Sequence, residues 1–188
     1  MSKENVEIVR QPLLVRDRSS RSLAQRMALR LPRLTDAYAR LIDRLPPSSR
    51  LRQASVRLAA RDGVEAWNRR DLDAFLISYH PDSEHYPPRE FVEAGLWEQC
   101  YRGRDGYARL MASWADTGTD ARVETGDLID LGSHLVLLSE LSARTSRLAG
   151  VPLTRTYATI WTVEHGKIRS QREYTDHAEA LEAVGLSQ

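Results

Sequence analysis

Four β segments follow one another near the end of the chain, and this order constrains the fold more than any other feature. Residues 123–131 are turned by Gly132-Ser133, and residues 134–147 turn around Gly150-Val151-Pro152. Residues 154–164 turn at His165-Gly166, and residues 168–175 close the set before Asp176 opens a last helix ending near Leu186. Helical patterns come earlier. Residues 50–67 place Val56, Ala60, Gly63 and Trp67 on one apolar side, and Asp71 can cap a second helix through Leu72, Phe75, Leu76 and Tyr79. A short strand over 82–86 ends at Pro87-Pro88, and residues 89–102 read as a loop with a helical turn around 91–96. A third helix over 104–116 aligns Tyr107, Leu110, Met111 and Trp114. Helices first and consecutive antiparallel strands afterwards predict an α+β fold, with three helices packed on one sheet.

Within its 188 residues the chain has room for one sizeable domain and an extension. The net charge of +1 hides an asymmetry. Residues 1–50 carry 11 Lys and Arg against 5 Asp and Glu, whereas residues 51–188 carry 16 against 21. A basic arm over 1–49 therefore precedes a mildly acidic body over 50–188. An acidic body speaks against nucleic acid as a partner, because phosphate contact needs clustered cations. Cys100 is the single cysteine, so no intrachain disulfide can form, and a cytoplasmic setting fits best. Neither an apolar run of membrane-spanning length nor a secretory signal pattern is visible.

In the arm, Leu23, Met27, Leu31, Leu34, Tyr38, Leu41 and Leu45 fall at steps of three and four, with arginines between them. Pro32 predicts a kink or two helices, and Pro46-Pro47-Ser48-Ser49 a linker. The favoured reading packs this stripe against the body or a second subunit. Contact with an anionic membrane is the alternative for a basic amphipathic helix.

Strand alternation sorts the ionisable residues. On the closing strand Arg169, Gln171 and Glu173 share a face; on the preceding one Tyr157, Thr159, Trp161 and Val163 form a set. A carboxylate on a cavity wall must be hydrogen-bonded, paired or protonated. Arg169 would make Glu173 half of a structural ion pair. His85, which alternates with Ser83 on the first strand, would make it an acid–base site. Trp67 and Trp114 are most simply core, and they also suit the aromatic wall of an apolar pocket. His80 and His85 have no third ligand at metal spacing, so neither a metal nor a cofactor is expected. Cys100 reads as a structural thiol, and Gly103-Arg104-Asp105-Gly106 as a turn into the third helix.

The segment Ala66-Trp67-Asn68-Arg69-Arg70-Asp71-Leu72-Asp73, with Arg172-Glu173-Tyr174-Thr175-Asp176, resembles the nuclear transport factor 2-like superfamily, in particular its SnoaL-like polyketide cyclase branch. The resemblance runs from Arg50 to Leu186 and leaves the arm outside. It implies a cone-shaped, strongly curved sheet wrapped around three helices, with a conical pocket, and a homodimer formed through the outer sheet face. The last segment is similar to the Arg-Asp-Tyr-Phe-Asp stretch of limonene epoxide hydrolases, which implies a pocket acid at Glu173.

Other positions depart from the relatives. Where steroid isomerases of the superfamily carry a Tyr and two Asp, this chain has residues near Gly63, Pro87 and Thr159. Where epoxide hydrolases carry an Arg and an Asp, it has Tyr157 and Thr159. The expected function is binding of a small apolar organic molecule, with Glu173 and His85 catalytic and Tyr157, Thr159, Trp161, Gln171, Trp67 and Trp114 at the substrate. Isomerisation, cyclisation, dehydration and epoxide opening are the open reactions. A non-catalytic binding or dimerisation module is the alternative.

Overall fold

The expected turns set the strand pairing in the computed structural model, which describes residues 8–15, 19–116, 121–144 and 152–186. Strands β4 (Arg122–Asp130), β5 (His134–Arg144), β6 (Pro152–Glu164) and β7 (Lys167–Tyr174) pair antiparallel in sequence order. The turn expected around Gly150 falls in residues 145–151, outside the described residues. The β6–β7 turn has positive φ at both His165 (53°) and Gly166 (77°), as a two-residue hairpin loop of the primed type requires.

Three strands extend this meander. Strand β2 (Tyr79–Tyr86) starts three residues earlier than expected and lies parallel to β7, so the sheet is mixed rather than wholly antiparallel. A parallel neighbour needs a long crossover, and the intervening β4–β6 supply it. The loop expected over 89–102 contains a helical turn (α5, Arg89–Glu93) and a two-residue strand β3 (Tyr101–Arg102) against β2. At the other edge β1 (Val9–Leu14), from a segment with no assigned strand in the sequence reading, pairs antiparallel with β4. The order is β1-β4-β5-β6-β7-β2-β3.

Helix α3 (Arg50–Asn68) lies against one sheet face, where Val64 packs with Leu13, Val123, Leu128, Leu137 and Trp161. Asn68 joins this helix to the sheet. Its side chain donates to the Val123 carbonyl (2.8 Å) and accepts from the Val123 amide (3.1 Å). Asp71 caps the short α4 (Leu72–Phe75), which a 3₁₀ turn over Leu76–Ser78 continues. With α6 (Gly103–Asp116), these helices gather Phe75, Tyr79, Tyr107, Trp97 and Trp114 into an aromatic core. Trp114 is buried as expected, while Trp67 beside it is only half-buried. The opposite sheet face buries Ile129, Val136, Leu138, Ala158 and Ile160 beneath α7 (His177–Ala183), which Asp176 caps.

The arm folds into α1 (Leu23–Arg30) and α2 (Pro32–Asp43), broken at Leu31-Pro32 as the proline predicts. A capping box between Ser22 and Gln25 starts α1. Polar contacts hold the arm down. Ser22 Oγ donates to Asp62 (2.7 Å), Gln25 Nε2 donates to the Asp62 carbonyl (2.7 Å), and Asp36 pairs with Lys167 (2.7 Å). Arg52 braces the end of α2 and the β4–β5 turn. Its guanidinium donates to both Asp130 oxygens (2.7 and 2.9 Å) and to the carbonyls of Asp43, Leu45 and Gly132.

The expected packing of the Leu23–Leu45 stripe on the body is corrected. Leu23, Met27, Leu31, Leu34, Tyr38 and Leu41 are all exposed, and the inward side of these helices carries Gln25, Ala28, Ala39 and Ile42 instead. Small side chains allow close approach to the body. A Cβ added to Gly166 would lie 2.4 Å from the Ala39 carbonyl carbon.

Candidate functional site

A cavity of about 550 Å³ opens between the three helices α1, α2 and α3 and the sheet. Its mouth is lined by Met27, Leu31, Leu34 and Tyr38, and its walls by Val64, Trp67, Phe75, Trp114, Leu135 and Leu137. Strands β6 and β7 supply the polar end. Tyr157, Thr159 and Trp161 project from β6, and Gln171 and Glu173 from β7, as alternation sorts them. The structure thus brings together every residue singled out from sequence as lining except His85, which is 1% exposed and stands behind Glu173 rather than on the wall.

Arg169 does not reach Glu173. The β6–β7 register shifts between Thr162 and Val163, so Ser170 pairs with Thr162 but Ile168 with Val163. Arg169 is the extra residue of this bulge, and strict alternation fails there. Ile168 takes the place on the cavity wall, while Arg169 turns to His80 (2.8 Å). Among the described residues, Glu173 therefore has no arginine partner.

Glu173 is held by uncharged donors and one imidazole. Its Oε1 accepts from Gln171 Nε2 (2.8 Å), and its Oε2 accepts from the Tyr157 hydroxyl and lies 3.2 Å from His85 Nε2. The His85 contact is close but bent, and neither ring nitrogen makes a well-aligned hydrogen bond to the protein. The ring sits between those of Tyr101 and Tyr107, 6.1 and 5.6 Å away.

Gln171 has a fixed amide orientation. An indole N–H can only donate, so Trp161 Nε1 must meet the oxygen Oε1 (3.0 Å), which also accepts from the Tyr79 hydroxyl. The amide nitrogen is thereby left facing Glu173.

Burial of Glu173 pushes its pKa up, but the electrostatic influence of the neighbouring His85 imidazole and the hydrogen bonds from Tyr157 and Gln171 outweigh it. The net effect places the carboxyl below its ordinary range and keeps it ionised. Burial, followed by the Glu173 charge, drives the Tyr157 phenol well above its ordinary value, and burial likewise raises Tyr79. Both remain neutral donors. The arrangement is an ionised carboxylate at the polar end of a mostly apolar cavity, flanked by phenols and an indole.

Tyr79 is the participant that sequence reasoning missed, because its spacing also fits the helix through Phe75. The signal was present. Tyr79, Ser83 and His85 share one strand parity, and all three are buried. Among the described residues, no three His, Cys, Asp or Glu side chains gather as a metal set. Cys100 is half-buried, with Sγ 3.9 Å from the Tyr101 carbonyl.

The profile of the SnoaL-like domain matches residues 60–171, more than half of the chain. The chain belongs to the SnoaL-like family. The matched span runs from the second half of α3 into β7 as far as Gln171, so it holds the cavity walls from Val64 to Gln171, while α1, α2 and Glu173 lie outside it. Solved structures share this nuclear transport factor 2-like fold. TerC, crystallised with polyporic acid, is 22% identical, covering 66% of this chain and 94% of TerC at a TM-score of 0.56. A nuclear transport factor 2-like protein of unknown function from Burkholderia pseudomallei is also 22% identical, covering 68% of this chain and 95% of that one, with a TM-score of 0.56. The epoxide hydrolase/cyclase-like enzyme SalBIII, of pyran ring formation in polyether salinomycin, is 14% identical, covering 66% and 93%, with a TM-score of 0.52. No curated protein matches this SnoaL-like sequence.

Proposed function

We propose that this SnoaL-like protein binds a small, mostly apolar organic molecule and performs cofactor-independent acid–base chemistry on it, with Glu173 as the general base. One observation carries this reading. Glu173 is an ionised carboxylate without an arginine partner, and it faces an apolar cavity of about 550 Å³. A carboxylate that stays ionised and is fixed in position at the cavity wall can accept a proton from an acidified C–H or O–H placed beside it. His85 steadies the carboxylate from behind, and the neutral Tyr157 phenol, donating its one O–H to Oε2, fixes its orientation. Isomerisation, cyclisation, dehydration and epoxide opening all need this proton transfer. TerC with bound polyporic acid and SalBIII lend support, each as a property of that protein.

A second reading is a non-catalytic binding module of the same fold. It draws on the fact that both Glu173 oxygens already accept protein hydrogen bonds. A turnover screen over polycyclic phenols, enolisable ketones and epoxides separates the two. Catalysis requires a substrate whose turnover disappears in a folded Glu173→Gln protein that still binds it. Turnover that persists in that protein ends the assignment.

A cytoplasmic setting belongs to the same reading, resting on the single Cys100. So does a homodimer. Since α7 covers the apolar outer face of β4 to β6, contact between copies would use the outer surface that α7 leaves free. Sedimentation equilibrium tests that stoichiometry.

A further inference from the structure

The cavity mouth opens through an unusual surface. Leu23 and Leu34 are 66% and 65% exposed, and Tyr38, Leu41, Leu51 and Leu58 stand open around them on α1 to α3. Contiguous apolar side chains of this size on a protein surface mark an interaction site. Arginines flank the apolar ring without lining the mouth. Arg26, Arg30, Arg33, Arg40, Arg44 and Arg57 are exposed, and none makes an ion pair with a described carboxylate. The acids of α2 are already engaged, Asp36 by Lys167 and Asp43 by the Gly166 amide. The face is therefore apolar at its centre and positive at its margin, with its own negative charges turned inward.

We propose that this face docks on an anionic lipid surface, so that the cavity mouth opens toward the bilayer. Charge decides between the occupants. A second copy meeting by a two-fold axis would set this patch against itself, placing arginines opposite arginines with no acids between them. An anionic bilayer offers what the face lacks. Its headgroups meet the guanidinium groups, and its acyl boundary takes the leucines, as for amphipathic helices lying in the interface. An apolar molecule could then pass from lipid to the cavity without crossing water. Among the described residues, no helix is long and apolar enough to cross a membrane, so the contact is peripheral. The inference rests on the surface alone and is independent of the chemistry assigned to Glu173.

Flotation of the full chain at low ionic strength tests it, with vesicles of phosphatidylglycerol and phosphatidylcholine in equal parts and of phosphatidylcholine alone. The protein should float with the anionic vesicles and be released by salt. Arg33→Gln with Arg40→Gln should lower partitioning roughly 30-fold. Leu34→Asp with Leu41→Asp should abolish it. All four side chains are exposed, so circular dichroism should show an unchanged fold.

A folded wild-type protein that ignores anionic vesicles overturns the proposal. So does equal binding to both vesicle types that the arginine changes leave unmoved. A dimer that Leu34→Asp dissociates, without vesicle binding, gives the face to a second copy. Binding to soluble polyglutamate as tight as to vesicles, unaffected by the leucine changes, gives it to an acidic protein.

Discussion

His85 stands behind the Glu173 carboxylate, its Nε2 3.2 Å from Oε2, and does not itself reach the cavity wall. The parallel pairing of β2 with β7 produces this, because it sets His85 beside Gln171, two residues before the acid. Imidazole behind and carboxylate in front assign the two groups different duties. On the proposed reading Glu173 touches a bound molecule, whereas His85 would act through Glu173 by setting its charge and position.

Glu173→Gln is expected to leave ligand affinity within a few-fold and to lower turnover by roughly a hundred- to ten-thousand-fold, the usual weight of a positioned general base. The amide keeps the volume of the side chain and can still accept from Tyr157. Calorimetric binding, read beside turnover, checks the separation.

The acid limb of kcat/KM should lie below the ordinary glutamate value of about 4.5, since the Glu173 pKa is depressed. In His85→Asn, burial is no longer opposed by the imidazole, so this limb should move to higher pH. A limb that stays in place would remove His85 from its role as a positioning residue.

Stability should follow the same sign. A depressed carboxyl contributes stability above its unfolded value that is lost as pH falls through the folded one. The advantage of wild type over Glu173→Gln should therefore shrink below about pH 4.5, as read from urea midpoints across a pH series.

Asp130→Ala leaves the Arg52 guanidinium, which is only 3% exposed, with the more distant Asp43 carboxylate (3.9 Å) as its charged partner, and should cost about 3 kcal/mol. The double change Arg52→Met with Asp130→Leu should cost less, because no buried charge is left unpaired. Denaturant titration of the full cycle measures the difference.

Gly166→Ala should destabilise by roughly 1–3 kcal/mol. Positive φ strains the new side chain, and its Cβ would collide with the α2 backbone at Ala39. Thermal unfolding reports the loss.

Local chemistry made much of this molecule legible in its sequence. The Gly132 and His165-Gly166 turns, the break at Pro32 and the caps at Asp71 and Asp176 act over a few residues, so their effects are written where they occur. Alternation likewise placed Tyr157, Thr159 and Trp161 on one wall, and Gln171 with Glu173 on its neighbour. What escaped depends on partners distant in the chain. The strand at Val9–Leu14 exists by pairing with β4, and β2 begins at Tyr79 because β7 lies beside it. A bulge at Arg169, which no periodicity encodes, decided between the two partners open for Glu173, turning the arginine away and leaving His85. The arm's periodicity marked an amphipathic helical stretch, and Pro32 a kink or break in it, but neither told which side would be covered. An apolar stripe records a preference for leaving water, and only the tertiary packing of Gln25, Ala39 and Ile42 decided that Met27, Leu31, Leu34 and Tyr38 would stand exposed along the cavity.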